Sequence, residues 1–210
     1  MKRQLTASDP ALEGLDGLEG PALLLHSGRR NRRWASQSLL GRPQAWYRFD
    51  AARGGQLTGL DRPLRGRSVW EQLRGLLNDP ALPGVWIGYF SYDLGRLIEP
   101  NKLPPPPQSD WPLVELGWCP KLQTFPSQDP PAEPAAAAEP PAAASVRSDL
   151  GRDGYVEAVR RIGRYIAAGD VFQANVAQRF TASVSENIRK VYKRLAAVSP
   201  AWFGACLELP

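Results

Sequence analysis

The sequence contains one histidine, His26, and no nucleophile stands within its local reach, so a base-activated serine or cysteine has no local form here. No glycine-rich phosphate loop and no acidic metal cluster accompanies it. Cys119 and Cys206 lie far apart, without the close Cys or His neighbours of a zinc site, and read as ordinary reduced thiols. The densest basic run is Arg29-Arg30-Asn31-Arg32-Arg33 in a chain of net charge +5, which is able to attract nucleic acid. The remaining arginines are scattered among acids and no recognition motif goes with them. The run therefore reads as a solvated loop, and no nucleic-acid partner is expected. Two polar sets remain. In Ser91-Tyr92-Asp93-Leu94-Gly95-Arg96 a strand ends in a turn, where Asp93 and Arg96 can satisfy backbone groups or each other. Gln173, Asn175, Gln178 and Arg179 are more polar than a sheet buried on both faces accepts without partners. They either face solvent or form a hydrogen-bonded network at a domain junction.

The elements that would position these residues are legible from periodicity. Short strands are expected at 22–26 (ALLLH), 45–49 (AWYRF) and 85–90 (VWIGYF), each aliphatic or aromatic and bounded by Gly or Pro. Ser68 followed by Glu71 forms a capping box, after which Val69, Leu73, Leu76 and Leu77 fall on one helical face that ends near Asn78-Asp79-Pro80. Tyr155, Val159, Ile162 and Ile166 predict a second helix, with Asp153 able to cap its start and Gly169 suited to a left-handed stop. Across VFQANVAQRF, Phe172, Ala174, Val176 and Phe180 alternate with polar residues, the period of a half-buried strand. Ile188, Val191, Tyr192 and Leu195 mark a third helix, which leads to a strand-like AWFGACLEL. The order predicts an α+β fold of largely antiparallel sheets with helices packed on the outside. No internal repeat is visible.

With 43% hydrophobic and 22% charged residues, the 210-residue chain has the composition of a soluble globular protein. No apolar run is long enough for a membrane span. The opening MKRQLTASDPALEGLDG places acids and glycines where a signal peptide has its apolar region, so a cytoplasmic protein is expected. Residues 101–112 and 126–146 are rich in proline and alanine and should be extended, exposed connections; the second is the better domain boundary.

The block GVWIGYFSYDLGRLIEP (84–100) and the block YVEAVRRIGRYIAAGDVFQANVAQRF (155–180) resemble the family of anthranilate synthase and aminodeoxychorismate synthase component I. ALLLHSG (22–28) and SPAWFGACLEL (199–209) fit the same family in the same order, so four matches span nearly the whole chain. The resemblance implies an amino-terminal domain over 1–125, a linker over 126–150, and the truncated start of a chorismate-binding catalytic domain over 151–210. In the family these parts enclose a tryptophan-sized pocket. Ser27 matches its serine, Trp34, Ala35 and Ser36 fall where further pocket residues lie, and Trp202, Phe203 and Gly204 match the second wall. A hydroxyl and backbone amides can hold an amino-acid head group while aromatic faces take an indole; equally, these residues can simply pack the junction. Trp202 stands where the family usually has Pro. His26 resembles the aminodeoxychorismate branch, since anthranilate synthases usually carry Glu before the pocket serine, where a carboxylate can hold an ammonium group.

For the full-length enzyme the resemblance implies chorismate as substrate, amination to 4-amino-4-deoxychorismate for folate synthesis, a magnesium ion, and a glutamine amidotransferase subunit as ammonia source. The family's metal carboxylates, general acid and lysine nucleophile lie in blocks that follow the matched region. No catalytic residue and no bindable magnesium are therefore expected in this chain, and the chain alone should be inactive. The alternatives are anthranilate synthase component I and, from another class, a non-catalytic tryptophan- or partner-binding module.

Overall fold

The computed structural model describes residues 9–99, 111–128 and 145–210. The two proline-rich connections lie outside these residues except at their ends. The chain divides into two compact units, Met1–Ala136 with Ile188–Pro210, and Ala137–Asn187. Composition puts a boundary at the linker and joins everything after it; compactness places residues 188–210 with the amino-terminal strands instead. Among the described residues no helix is long and apolar enough to cross a membrane.

The first unit begins with α1 (Pro10–Gly17), whose Asp9 side chain accepts the Ala11 and Leu12 amides while Pro10 opens the first turn. Then follow β1 (Leu23–His26), β2 (Gln37–Gly41), β3 (Ala45–Asp50), β4 (Gly54–Thr58), α2 (Val69–Leu77) and β5 (Val85–Phe90). A 3₁₀ turn at Tyr92–Leu94 runs into α3 (Gly95–Ile98), followed by β6 (Val114–Cys119) and β7 (Leu122–Pro126). Two antiparallel elements, β8 (Arg147–Ser148) and β9 (Phe180–Thr181), belong to the second unit with α4 (Gly151–Ala168). The chain closes the first unit with α5 (Ile188–Val198) and β10 (Gly204–Leu207).

Within that unit two four-stranded antiparallel sheets form, in the orders β10-β1-β2-β7 and β4-β3-β6-β5. Leu23, Ile87 and Cys119 fill the space the sheets share, with Trp46 and Leu207 against them. On the outer face of the first sheet, Leu24, Leu40 and Cys206 pack on Ala11 and Leu15 of α1, with Tyr192 of α5 alongside. On the second, Tyr47, Val114 and Leu116 pack on Val69, Leu73 and Leu76 of α2. Burying each of those three side chains contributes roughly 1.5–3 kcal/mol before ordering entropy is subtracted. The fold is thus α+β, with antiparallel sheets inside and helices outside. The capping box of α2 forms as its sequence dictates: Ser68 Oγ accepts the Glu71 amide at 3.2 Å and Glu71 Oε2 accepts the Ser68 amide at 3.3 Å.

The second unit departs from expectation twice. Asp153 does not cap α4; it lies inside the first turn, and Ser148 Oγ accepts the Gly151 amide at 3.1 Å. At the other end Gly169 takes the left-handed conformation, φ +80°, as predicted. The strand expected across 172–180 reduces to Phe180–Thr181. Among the described residues its strand partner is the two-residue β8, and beyond the Arg179–Asp149 bonds the alternating segment has no ladder along which to continue as a strand.

Candidate functional site

The antiparallel pairing of β1 with β10 sets His26 opposite Gly204, so the chain leaving β1 at Ser27 runs beside the chain entering β10 through Trp202 and Phe203. The sequence separates these stretches by more than 170 positions; the sheet brings them together. A Cβ at Gly28 would meet the Ala201 backbone at ordinary contact distance, 3.6 Å, and would stand 3.2 Å from the His26 ring, the tighter of the two contacts. A bridge between Asn31 and Ala35 folds the intervening loop back, with Trp34 on its returning side.

Ser27 is 4% exposed and its polar groups are committed. Its hydroxyl lies within donating distance of the carbonyls of Arg29 (3.1 Å) and Ala35 (3.2 Å), and its amide donates to Ser38 Oγ at 2.9 Å. Ala35 is buried behind it, while the Ser36 carbonyl accepts the Ser127 amide at 2.9 Å. The Trp202 indole meets Trp34 edge to face at 6.3 Å, with the Arg29 guanidinium 5.5 Å above its ring. These contacts are worth on the order of 1 kcal/mol each at such exposed positions. Phe203 projects into solvent at 71% exposure. Gly204 has Tyr192 Oη where a Cβ would be, 2.7 Å away. All seven expected residues therefore sit around one end of the β1–β10 pair.

His26 points elsewhere. Alternation along β1 turns it to the outer face with Leu24, where Nε2 meets Asp9 Oδ2 at 2.8 Å and Nδ1 meets the Tyr192 hydroxyl at 3.1 Å. The ionised Asp9 carboxylate can only accept, so Nε2–H donates to it, while burial pushes the Tyr192 phenol up to about 12 and its hydroxyl keeps its proton beside Nδ1. Burial on its own would raise the Asp9 pKa, but the His26 hydrogen bond and charge, with the Ala11 and Leu12 amides, hold it below the usual value of 3.8. His26 is thus a tie between β1, α1 and α5.

Sequence reasoning did not find the partners of this tie. Asp9-Pro10 is a legible helix start, but Tyr192, Arg189 and Glu208 carry no local signal of what they contact. Arg189 makes a two-point bond with Glu208 at 2.8 and 2.7 Å and also donates to the Leu15, Leu18 and Gly20 carbonyls at the end of α1. Glu208, in turn, accepts the Ala22 amide at 2.8 Å. A second overlooked group is Glu115, 3% exposed as the second residue of β6. Its cross-strand neighbours are Arg48, 3.8 Å away, and Tyr89, and burial raises its pKa despite Arg48. A lone acid within the apolar run VELGWC was the signal.

The remaining sequence candidates are structural. Arg96 Nε donates to Asp93 Oδ1 at 2.7 Å. Within the second unit Gln173 and Asn175 are exposed, Gln178 accepts the Ser148 hydroxyl at 2.8 Å, and the Arg179 amide donates to Asp149 at 3.0 Å. Cys119 and Cys206 are buried free thiols, and burial pushes Cys119 up to about 11. Among the described residues no group of three or more His, Cys, Asp or Glu side chains converges to hold a metal.

Comparison with known proteins follows the same line. The family model described as chorismate binding enzyme matches residues 43–210. Aminodeoxychorismate synthase component 1 of Bacillus subtilis is 40% identical over 72 residues, covering 34% of this chain and 15% of that protein. The Klebsiella aerogenes protein of the same name is 32% identical over 152 residues, covering 62% of this chain and 33% of its own length. An anthranilate synthase component 1 of Haloarcula marismortui is 28% identical over 217 residues, covering 80% and 42%. The chain spans less than half the length of each of these relatives.

Proposed function

From a chain that belongs to the chorismate binding enzyme family, we propose an aminodeoxychorismate synthase component I of which these 210 residues are the amino-terminal part. In the reaction proposed for the whole enzyme, the chorismate C4–O bond breaks, a C4–N bond to ammonia forms, and the hydroxyl departs with a proton as water. The observation that carries this reading is the family match over 43–210, joined to two relatives named aminodeoxychorismate synthase component 1. The occupancy of position 26 supports the branch. His26 has both ring nitrogens engaged by Asp9 and Tyr192, so nothing at this position offers a carboxylate to an ammonium group. The number in the relatives' names fits a second component; a glutamine amidotransferase supplying ammonia is the partner proposed, in the cytoplasm. Anthranilate synthase is the second reading, favoured by the long alignment with the Haloarcula marismortui protein.

Chromatography of the reaction products tests the proposal. The gene product in full, given chorismate, ammonium and magnesium, is expected to form 4-amino-4-deoxychorismate. Anthranilate with pyruvate would move it to the other branch, and neither product would leave the non-catalytic module.

The cluster around Ser27 is proposed to be a self-filled counterpart of the tryptophan-sized pocket, with the Trp202 indole against Trp34 and Arg29 in place of a ligand. Calorimetry with tryptophan is expected to give no heat with the folded wild-type chain, whereas Trp202→Pro should open the site. Binding by the wild type that is lost on Ser27→Ala would establish a true ligand site instead.

A further inference from the structure

In the first unit, a cavity of about 310 Å³ lies between the loop after β4 and one face of α2. Its volume falls at the lower end of the roughly 300–1,000 Å³ found for small-molecule sites. The floor is Gln72 and Leu76, both more than nine-tenths buried. Gln72 is fixed at both ends of its amide: Oε1 accepts the Tyr47 hydroxyl at 2.8 Å and Nε2 donates to the Gly66 carbonyl at 3.2 Å. An ion pair between Arg62 and Asp79, 2.6 Å, ties the loop to the chain leaving α2 and so holds the walls apart at a set distance. The cavity is therefore formed before anything enters it.

Two features point to what would enter. Gly75 lies inside α2 on the cavity-lining face, where a Cβ would meet no atom within 4 Å. A glycine in a helix interior costs stability relative to alanine, and here it keeps open space rather than permitting a close contact. Around that space stand one cation and one anion, Arg65 and Asp61, neither with an ion-pair partner among the described residues. With Arg62 and Asp79 neutralising each other, the cavity presents a separate guanidinium and carboxylate above a floor made of Leu76 and the fixed Gln72 amide. We infer that it binds a small zwitterion of the α-amino-acid class, its carboxylate on Arg65, its ammonium on Asp61 and its side chain over Leu76. Planar guanidinium geometry suits a carboxylate, and the carboxylate of Asp61 suits an ammonium. This inference concerns different residues from the Ser27 cluster and does not depend on the branch of the family.

Amide and side-chain NMR of the 210-residue chain, titrated with L-alanine and L-leucine to about 10 mM, tests it; succinate and putrescine serve as single-sign controls. Saturable shifts are expected at the Gly75 amide, the Gln72 side-chain amide and the Arg65 Nε–H with the amino acids, and not with the controls. Gly75→Leu, which fills the space with a good helix former, and Arg65→Gln should each weaken the response at least about tenfold while far-ultraviolet circular dichroism stays unchanged. No saturable shift, an equal response to succinate or putrescine, shifts confined to Ser27 and Trp202, or a response that survives Gly75→Leu would each overturn the inference.

Discussion

Asp9 and Glu115 are both carboxylates pressed into the first unit, yet their surroundings drive them in opposite directions. Asp9 is held below its usual pKa of 3.8. A group depressed in this way contributes stability that is present above its unfolded pKa and is lost as pH falls through the folded one. Asp9→Asn keeps the helix cap, because asparagine caps as well as aspartate, but removes the charge facing His26. It should cost about 1 kcal/mol at pH 7 in urea denaturation, discounted for a carboxylate one-third exposed, with the difference closing below about pH 4. Burial raises Glu115 above its usual 4.5 and outweighs the opposing charge of Arg48. Its contribution is favourable only below that value and is lost as pH rises through the folded pKa. Glu115→Gln is therefore expected to stabilise the protein by roughly 1 kcal/mol at pH 7, a gain that disappears on acidification. Equal pH profiles for the two variants would contradict the opposed environments. Neither partner set was visible in sequence. A carboxylate's neighbours across a sheet are set by strand order, and β6 inserts between β3 and β5 although 23 residues separate its start from the end of β5.

Elements with strong local signals formed where their residues placed them. Ser68-x-x-Glu71 fixed the start of α2, and Gly169 the end of α4, because both signals act through bonds within one turn. β2, β4, β6 and β7 were not anticipated, being short and defined by their neighbours more than by their own alternation. The reverse error, a strand expected at 172–180, arose because alternation states which side chains agree and not whether a ladder exists to receive them. The candidate site was legible only through the family resemblance; pairing of β1 with β10 could not be deduced from either segment alone. The carboxyl end of α1 shows the same dependence. Its last carbonyls have no side-chain cap of their own and are met by Arg189 from α5, which adds a two-point bond to Glu208. Lysine carries the same charge but cannot span both sets of acceptors. Arg189→Lys should thus lower stability by about 1.5–3 kcal/mol, measured as a shift in the urea midpoint with the slope unchanged. A change below about 0.5 kcal/mol would mean that water satisfies the α1 carbonyls equally well.

At the scale of the molecule, the last 23 residues, Ile188–Pro210, complete the first unit although the second unit precedes them in the chain. β10 adds an edge strand to the first sheet, Cys206 enters the core beneath α1, and Leu207 packs between the sheets. Arg189, Tyr192 and Lys193 of α5 reach Glu208, His26 and Asp16 respectively. One strand pairing, four residues long, and these polar ties join two segments whose covalent connection runs through the second unit. Two outcomes follow from that arrangement. Deleting residues 188–210 should expose Leu24, Leu40 and the free edge of β1, giving a chain that aggregates or binds hydrophobic dyes. Cutting the backbone within 129–144, by contrast, removes no contact among the described residues. A protease site inserted there and cleaved should leave the two pieces co-eluting on size exclusion at the mass of the uncut protein. Separation should require denaturant, at a midpoint lowered by the effective concentration that the intact connection had supplied. Pieces that part in native buffer would show that residues 188–210 do not belong to the amino-terminal unit, and the role assigned to Arg189 and β10 would fall with it.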